Sequence, residues 1–207
     1  MKKTNLLTAL MMLMVAALPA ATYARNNTNN SQDMKSKKTL VVFFSRTGEN
    51  YAVGNIAKGN THIVAEIIAE QTGGTLFQIE PVAAYPEKYK ECTELAKREV
   101  DTKARPAIKG DIAVEEYDTI YIGYPNWWSD MPMPVYTFIE KHNWQGKTVV
   151  PFCTHEGSGL SATESKLKKA CEGATVLGGL ALRGSVAQKS QEQTRTAVAN
   201  WLAGLKR

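Results

Sequence analysis

The sequence predicts a doubly wound α/β domain of three layers, in which helices cover both faces of a five-stranded parallel sheet. Short apolar runs alternate with helical patterns from residue 39 to the end of the chain, and this alternation is typical of parallel sheets. The 207 residues, 43% of them hydrophobic, suit one domain with a full core. No internal repeat interrupts the alternation. We therefore expect a single α/β domain.

The predicted strands are short and apolar. TLVVFF, at residues 39–44, is a continuous apolar run, as expected for a strand buried on both faces. TLFQIEP, at residues 75–81, ends at a proline. The other three runs are DTIYIGYP at 118–125, GKTVVPFCT at 146–154 and TVLGGLALRG at 175–184.

The segments between the strands predict five helices, which cover residues 60–74, 86–101, 133–142, 164–173 and 194–205. Apolar residues recur in them at the spacing of one helical face. Ser161 and Glu164 have the spacing of a capping box before the fourth helix, and Ser190 and Gln193 repeat it before the fifth. Residues 105–117 are predicted to form a connector.

The first 24 residues have the pattern of a secretory signal peptide. Lys2 and Lys3 precede the apolar run LLTALMMLMVAAL, and the small-residue region PAATYA follows it. The apolar run is too short to span a bilayer comfortably, so we expect no stable membrane insertion once the signal is removed. Residues 25–37 are polar without an apolar period and predict a flexible linker before the domain at 38–207. We expect a secreted protein of a bacterial periplasm.

Charge and cysteine usage argue against several classes of function. The chain carries a formal charge of +5, and without Lys2 and Lys3 there are 23 basic residues against 20 acidic ones. This excess is mild and lacks a basic stripe interleaved with aromatics, so we expect no nucleic-acid partner. Cys92, Cys153 and Cys171 lack C-x-x-C spacing, so neither a dithiol site nor a zinc ribbon is expected. Two alternatives remain for the cysteines: one disulfide, or three buried free thiols.

Three loops that follow predicted strands carry unusual residues, at 45–61, 124–131 and 154–160. The carboxyl ends of parallel strands meet at one edge of a sheet, and ligands bind there where the strand order reverses. We therefore expect the three loops to form one site.

The loop at 45–61 predicts a phosphate site, although a capped helix beside a surface loop is the alternative. It supplies hydroxyls and glycines, and it leads into a helix whose first N–H groups favour an anion. It has neither the Walker A pattern nor the G-x-G-x-x-G fingerprint. Its candidate ligands are Ser45, Arg46, Thr47, Gly48, Asn60 and Thr61.

The loop at 124–131, YPNWWSDM, predicts a surface for stacking on a flat ring. The side chains of adjacent Trp127 and Trp128 face opposite ways in an extended segment. At least one tryptophan should therefore be exposed unless a planar ligand covers it. A core tryptophan beside one that faces a partner protein is the alternative.

The loop at 154–160, THEGSGL, predicts polar contacts with a heterocycle. Gly157 and Gly159 let backbone N–H groups approach a ligand closely, while His155 and Glu156 add polar edges. The order G-S-G lacks the G-x-S-x-G nucleophile elbow, so a hydrolase is the weaker alternative. A phosphate pocket, a stacking surface and polar donors together predict flavin mononucleotide (FMN).

The sequence resembles the flavodoxin family over residues 38–205, in VVFFSRTG…GNT, YIGYPNWW and PFCTHEGSG, and in particular its variants with a signal peptide and a split phosphate loop. The resemblance implies non-covalent FMN and the strand order 2-1-3-4-5. It places the phosphate on Ser45, Arg46, Thr47, Asn60 and Thr61. It places the isoalloxazine against Pro125, Asn126, Trp127 and Trp128, and the pyrimidine edge against Thr154, His155, Glu156, Gly157, Ser158 and Gly159.

Three functions stay open. The first is electron transfer through FMN with a redox partner protein. The second is an FMN-dependent NAD(P)H:quinone-type reductase with a small quinone-like acceptor, because GYPNWWSDMP is similar to the ring loop of flavodoxin-like quinone reductases. The third is a non-catalytic module without flavin, which the split loop suggests.

The insertion at 49–58 splits the phosphate loop and either covers the ring or extends the loop. We expect the two halves of the loop to converge on one anion, with the spacer looped away from it. Replacing Thr47 and Thr61 should then weaken FMN binding. His62 and Glu66 have i, i+4 spacing but no further ligand, so we expect a solvated helix face and no metal site.

Overall fold

The computed structural model describes residues 38–205. The predicted signal peptide at 1–24 and linker at 25–37 lie outside these residues. The strands are β1 Thr39–Phe43, β2 Gly48–Asn50, β3 Gly54–Ile56, β4 Thr75–Gln78, β5 Glu80–Pro81, β6 Ile108–Lys109, β7 Thr119–Pro125, β8 Thr148–His155, β9 Thr175–Val176 and β10 Leu180–Arg183. The helices are α1 Asn60–Thr72, α2 Tyr89–Thr102, α3 Met133–Ile139, α4 Thr163–Ala170, α5 Gly184–Lys189 and α6 Gln191–Leu205, with a 3-10 turn at Val114–Glu116.

The main sheet has the order β4-β1-β7-β8-β10, and all of its strand pairs are parallel. These are the five predicted strands in the order 2-1-3-4-5, so the fold class and the strand order are confirmed. β9 adds a short parallel pairing at the start of β8, where Thr148 is opposite Thr175. The order reverses between β1 and β7, so their carboxyl ends form the crevice where ligands of such sheets bind.

The sheet separates two hydrophobic clusters, because alternate side chains of a strand point to opposite faces. On one face, Val41 and Phe43 pack with Ile68 of α1 and Val198 of α6. On the other face, alternate residues of β1 and β7 pack with α3 and α4, and Phe138 is buried there. The predicted alternation of buried strands and one-sided helices is therefore confirmed.

The predicted fifth strand is split into β9 and β10 by residues 177–179. Glu164 Oε1 accepts a hydrogen bond from Gly179 N–H at 2.7 Å in this interruption. The predicted capping box of α4 is therefore wrong, since Glu164 is bonded to Gly179 and no side chain caps α4. Before α6, Ser190 Oγ does accept from Gln193 N–H at 3.4 Å. The short helix α5 was not predicted.

All three cysteines are buried and free. Burial raises the pKa of the Cys153 and Cys171 thiols to about 12, and burial also raises the pKa of Cys92. Because the thiolate is the reactive form, these side chains behave as small core residues rather than as redox groups.

No helix between residues 38 and 205 is long and apolar enough to cross a bilayer. In the same part of the chain, no group of three or more His, Cys, Asp and Glu side chains could hold a metal ion. His62 Nε2 lies 3.3 Å from Glu66 Oε1, and Lys58 Nζ donates to the same carboxylate at 2.7 Å. Lys58 and Glu66 therefore form an exposed ion pair beside His62.

Candidate functional site

The two halves of the split loop meet at the start of α1. Ser45 Oγ accepts a hydrogen bond from His62 N–H at 3.1 Å, which satisfies one of the free donors of the first turn. A Cβ atom at Gly59 would overlap Ser45 Oγ and the Arg46 carbonyl oxygen, so this close approach requires glycine. The two halves of the loop are therefore in contact, while their convergence on one anion stays a prediction.

Two N–H groups at this helix start are available to a ligand. Among the described residues, the N–H groups of Asn60 and Thr61 have no hydrogen-bond partner. Both belong to the first turn of α1, where the helix dipole favours negative charge. The main chain at the start of α1 could therefore hold an anion.

The Arg46 side chain has a different position from the one predicted. Its guanidinium donates to the carbonyl oxygens of Pro86 at 2.8 Å, Glu87 at 2.6 Å and Glu49 at 2.6 Å. These contacts join the insertion to the segment before α2. We therefore correct the assignment of Arg46 to phosphate, because its donors are bonded to the protein's own backbone.

The insertion forms a β-hairpin in which β2 and β3 pair antiparallel, with Asn50 opposite Gly54. Its turn contains Ala52 with φ +64°. Tyr51 at the turn is 63% exposed, and its ring centroid lies 6.0 Å from that of Tyr89 at the start of α2. Asn50 and Tyr51 line the same cleft as Asn60. Arg46 bonds the hairpin to residues 86–87. Part of the spacer therefore lines the cleft, while the expectation that it is looped away from a bound anion stays a prediction.

The cleft lies at the carboxyl edge of the sheet and has a volume of about 140 Å³. All three predicted loops contribute to it, together with the hairpin and the start of α2, so the structure brings the three loops together as expected. Its lining residues are Asn50, Tyr51, Asn60, Tyr89, Pro125, Asn126, Trp127, Thr154, His155 and Glu156.

The hydroxyls predicted to bind phosphate lie in two different places. Thr61 Oγ1 and Thr154 Oγ1 lie 2.7 Å apart and share a hydrogen bond, and both residues are buried. The Thr61 side chain therefore joins the start of α1 to the end of β8 by a hydrogen bond. Thr47 and Ser45 line a neighbouring cavity of about 200 Å³ together with Tyr85.

The two tryptophans have different environments, as predicted. Trp127 is partly buried and packs edge-on against Phe44 and Tyr85, with ring centroids 5.3 and 5.1 Å apart. Trp128 is 52% exposed, and its indole N–H donates to the Thr93 carbonyl oxygen at 3.1 Å. Trp127 is therefore fixed in the cleft, and Trp128 lies on the surface of α2.

A tight turn produces this arrangement. Trp128 and Ser129 have φ values of +55° and +61°, and Trp127 N–H donates to the Asp130 carbonyl oxygen at 2.9 Å. Two consecutive residues with positive φ are typical of a type I′ turn, although neither is glycine here. The turn separates the two indole side chains.

The sequence interpretation missed Asp130, which stabilises this turn. Its carboxylate is largely buried and accepts from Met131 N–H at 2.7 Å and from the Tyr136 hydroxyl at 2.8 Å. Lys166 Nζ lies 2.5 Å from the other carboxylate oxygen. The sequence around Asp130 gives no sign of this role, because the lysine that pairs with it, Lys166, lies in α4. Burial and the hydrogen bond to Asp130 raise the pKa of the Tyr136 hydroxyl.

The loop after β8 is organised around His155. Its Nδ1 accepts hydrogen bonds from the N–H groups of Gly157 at 2.8 Å and Gly159 at 3.1 Å. Burial lowers the pKa of His155, the positive charge of Arg183 lowers it further, and Glu156 opposes both. The two glycine donors predicted to face a ligand are therefore bonded to the imidazole in this structure, whereas Ser158 N–H has no partner among residues 38–205.

Two further side chains fix the same loop. Glu156 accepts from Ser185 N–H at 2.6 Å and from the Ser185 hydroxyl at 2.9 Å, so its carboxylate is bonded to α5. Asn126 donates to the Gly159 carbonyl oxygen at 2.8 Å and to Ser161 Oγ at 2.9 Å. Asn126 therefore connects the loop at 124–131 with the loop at 154–160.

A second cleft of about 230 Å³ adjoins the first. The two share Asn50, Tyr89, Asn126 and Trp127. The second extends along α2, past Trp128 and Ala96. The two clefts therefore form one groove with aromatic side chains along it.

The sequence model of a protein family described as Flavodoxin matches residues 38–204. A protein from Bacteroides eggerthii, described as a candidate flavoprotein, has a TM-score of 0.65 and 31% identity, over 82% of this chain and 98% of that one. A similarly described protein from Bacteroides uniformis has a TM-score of 0.62 and 32% identity, over 80% and 99%. A flavoprotein from Lactobacillus acidophilus, solved in complex with FMN, has a TM-score of 0.57 and 22% identity, over 74% and 98%. No curated protein matches the chain.

Proposed function

The chain belongs to the flavodoxin family, and on this premise we propose that it binds FMN non-covalently in the cleft and transfers electrons through it. The observation that carries the proposal is the meeting of three loops at one sheet edge, with Asn60, Trp127 and His155 lining a single cleft. The solved FMN complex of the similarly folded Lactobacillus acidophilus protein supports the choice of cofactor.

The residues along the cleft fit the parts of FMN. The unpaired N–H groups of Asn60 and Thr61 suit the phosphate, because they lie at a helix N-terminus. The aromatic surface of Trp127 suits the flat ring. The N–H groups of the loop at 154–160 suit its carbonyl oxygens: Ser158 N–H has no partner within residues 38–205, and those of Gly157 and Gly159 would be available once His155 releases them. Bound FMN supplies the redox chemistry, while the chain positions the ring and shields it on the side of the hairpin.

The proposal is tested by titrating the purified protein with FMN and following flavin fluorescence. We expect saturable binding of one FMN per chain, with a visible absorption spectrum that changes on binding. A protein that stays colourless and leaves the fluorescence of added FMN unchanged would contradict the proposal and favour a non-catalytic module.

We propose that the electron donor or acceptor is a redox partner protein and that the protein acts after secretion, in a bacterial periplasm. The partner is tested by reducing the FMN-loaded protein with candidate extracytoplasmic reductases. Electron transfer from a protein, together with no oxidation of NAD(P)H, is the expected result.

A quinone-type reductase is the second candidate, and the second cleft favours it. This cleft adjoins the proposed flavin cleft and is lined by Tyr89, Trp127 and Trp128, which suits a small planar acceptor. Ala96 also lines it but does not line the first cleft. Ala96 therefore offers a way to block the second cleft alone.

We expect Ala96→Leu to abolish turnover of NAD(P)H with 2-methyl-1,4-naphthoquinone if the chain is a reductase, while FMN affinity is retained. Ala199→Leu, at an exposed position of α6, controls for the added leucine. Because Ala96 is only 3% exposed, urea denaturation checks that Ala96→Leu keeps the fold. Turnover that Ala96→Leu leaves unchanged would exclude the second cleft as the acceptor site. No turnover in the unmodified protein favours the electron-transfer protein.

A further inference from the structure

We propose that His155 is a positioning residue that couples proton binding to FMN binding, because its imidazole holds two backbone N–H groups of the loop that would contact the flavin ring. This inference rests on the proposed function. It goes beyond that function by linking the affinity for FMN to the protonation of one side chain.

The geometry around His155 supports a shared set of donors. The N–H groups of Gly157 and Gly159 both point at Nδ1, at 2.8 and 3.1 Å. Gly157 has φ +146° and Gly159 has φ +60°, which are conformations that favour glycine. The loop therefore folds around the imidazole, and its two donors cannot serve a ring carbonyl oxygen at the same time.

These hydrogen bonds require a neutral imidazole. An Nδ1 atom that accepts cannot carry a proton, so the single proton of the ring is on Nε2. Protonation at Nδ1 would turn the acceptor into a donor and break both hydrogen bonds. The loop therefore holds its N–H groups only while His155 is neutral.

The charges around His155 favour the neutral form. Arg183 of β10 is the register partner of His155 on β8. The carboxylate of Glu156, the next residue, is bonded to Ser185 and lies 3.9 Å from Arg183 Nη1. The other titratable groups of the cleft are the phenols of Tyr51 and Tyr89. Burial and Arg183 together hold the pKa of His155 below its ordinary value, so near neutral pH the imidazole keeps both N–H groups.

The sign of the coupling follows from this competition. If the flavin ring takes the two N–H groups, His155 loses the interactions that favour its neutral form, and its pKa rises. Because binding and protonation are reciprocal, FMN should bind more tightly as the pH falls. The change occurs between two pKa values of His155, the higher one of the FMN complex and the lower one of the FMN-free protein. Above both values the gain in affinity is absent.

The test compares the FMN dissociation constants of the unmodified protein and of His155→Asn between pH 5.5 and 8. Asparagine keeps an acceptor oxygen near the position of Nδ1 but does not titrate. We expect the ratio of the two constants to change in favour of the unmodified protein as the pH falls, by about tenfold for each pKa unit that binding adds. Titration of the FMN phosphate affects both proteins and cancels in the ratio.

The matched control is His62→Gln. His62 lies in the first turn of α1, and burial also lowers its pKa, so it could respond to a bound phosphate. The control should keep the pH dependence of the unmodified protein. A constant ratio between the unmodified protein and His155→Asn, or the loss of pH dependence in His62→Gln alone, would overturn the inference.

A second measurement follows His155 directly by NMR. The chain has three histidines, and the imidazole signal missing from His155→Asn identifies the one of interest. We expect its pKa to rise when FMN is added, whereas an unchanged or lowered pKa would overturn the inference. If FMN binds and the pKa does not rise, the proposed function stands and only the role of His155 is wrong. If FMN does not bind at all, both are wrong.

Discussion

The two ends of the cleft are built in opposite ways. At the end proposed for the phosphate, the side chains of Arg46 and Thr61 are bonded to the protein, and the N–H groups of Asn60 and Thr61 have no partner within residues 38–205. At the ring end, the N–H groups of Gly157 and Gly159 are bonded to an imidazole, and Trp127 lines the cleft. At the proposed phosphate end, the groups available to a ligand are therefore backbone N–H groups. At the proposed ring end, side-chain contacts decide which groups are available.

The largest effect should come from Gly59→Ala at the phosphate end. The new Cβ atom would overlap Ser45 Oγ and the Arg46 carbonyl oxygen, which forces the halves of the loop apart. We expect a loss of about 1–3 kcal/mol in the free energy of unfolding and a weakening of FMN binding by at least about tenfold. Urea denaturation and FMN titration measure the two effects.

Gly204→Ala is the control for this substitution. A Cβ atom at Gly204 in α6 meets no atom within 4 Å, and alanine stabilises a helix interior by about 0.5–1 kcal/mol relative to glycine. If Gly59→Ala bound FMN as tightly as the unmodified protein, the backbone would not determine the phosphate end.

At the ring end, Asp130→Asn should have the next largest effect. The amide keeps the size of the side chain but removes the charge that Lys166 neutralises at 2.5 Å. We expect a loss of about 1–3 kcal/mol in the free energy of unfolding, with altered tryptophan fluorescence as the turn at Trp128 loosens. Lys38→Ala is the control, because its ion pair with Glu116 is exposed and should be worth less than about 1 kcal/mol. Equal losses for the two variants would contradict the role given to Asp130.

The smallest effect should come from removing single hydroxyls of the phosphate loop. Thr61→Val leaves the buried Thr154 hydroxyl without its partner at 2.7 Å, so we expect a loss of about 1–2 kcal/mol in the free energy of unfolding and weaker FMN binding. Thr47→Val should change stability much less, because Thr47 is exposed. Urea denaturation of Thr61→Val, Thr154→Val and the double variant should show coupling between the two sites; strictly additive losses would show that the hydroxyls do not interact.

The fold and the meeting of the three loops could be predicted from the sequence because both depend on local patterns. Buried strands such as TLVVFF are visible as apolar runs, and parallel strands place their following loops at one edge. One of the two adjacent tryptophans is exposed as predicted, but a turn with positive φ at Trp128 and Ser129 separates them, not the side-chain alternation of an extended strand on which the prediction rested.

The individual hydrogen bonds could not be predicted, because their partners are distant in the chain. Arg46 is bonded to carbonyl oxygens of Pro86 and Glu87, 40 and 41 residues away, and nothing near Arg46 distinguishes this from a contact with phosphate. The capping box failed for the same reason, since Glu164 reaches Gly179 on another element. Short motifs identify candidate donors, whereas packing determines which partner they take.

The central claim is that one FMN is held by all three loops at a single edge of the sheet. It is tested most directly by adding FMN to the ¹⁵N-labelled protein and following its backbone N–H signals by NMR. We expect the largest shifts together at Asn60, Trp127 and Gly157, with small shifts in α6 on the far side of the sheet from α3 and α4. Shifts confined to one loop, or spread along α6 instead, would contradict the claim.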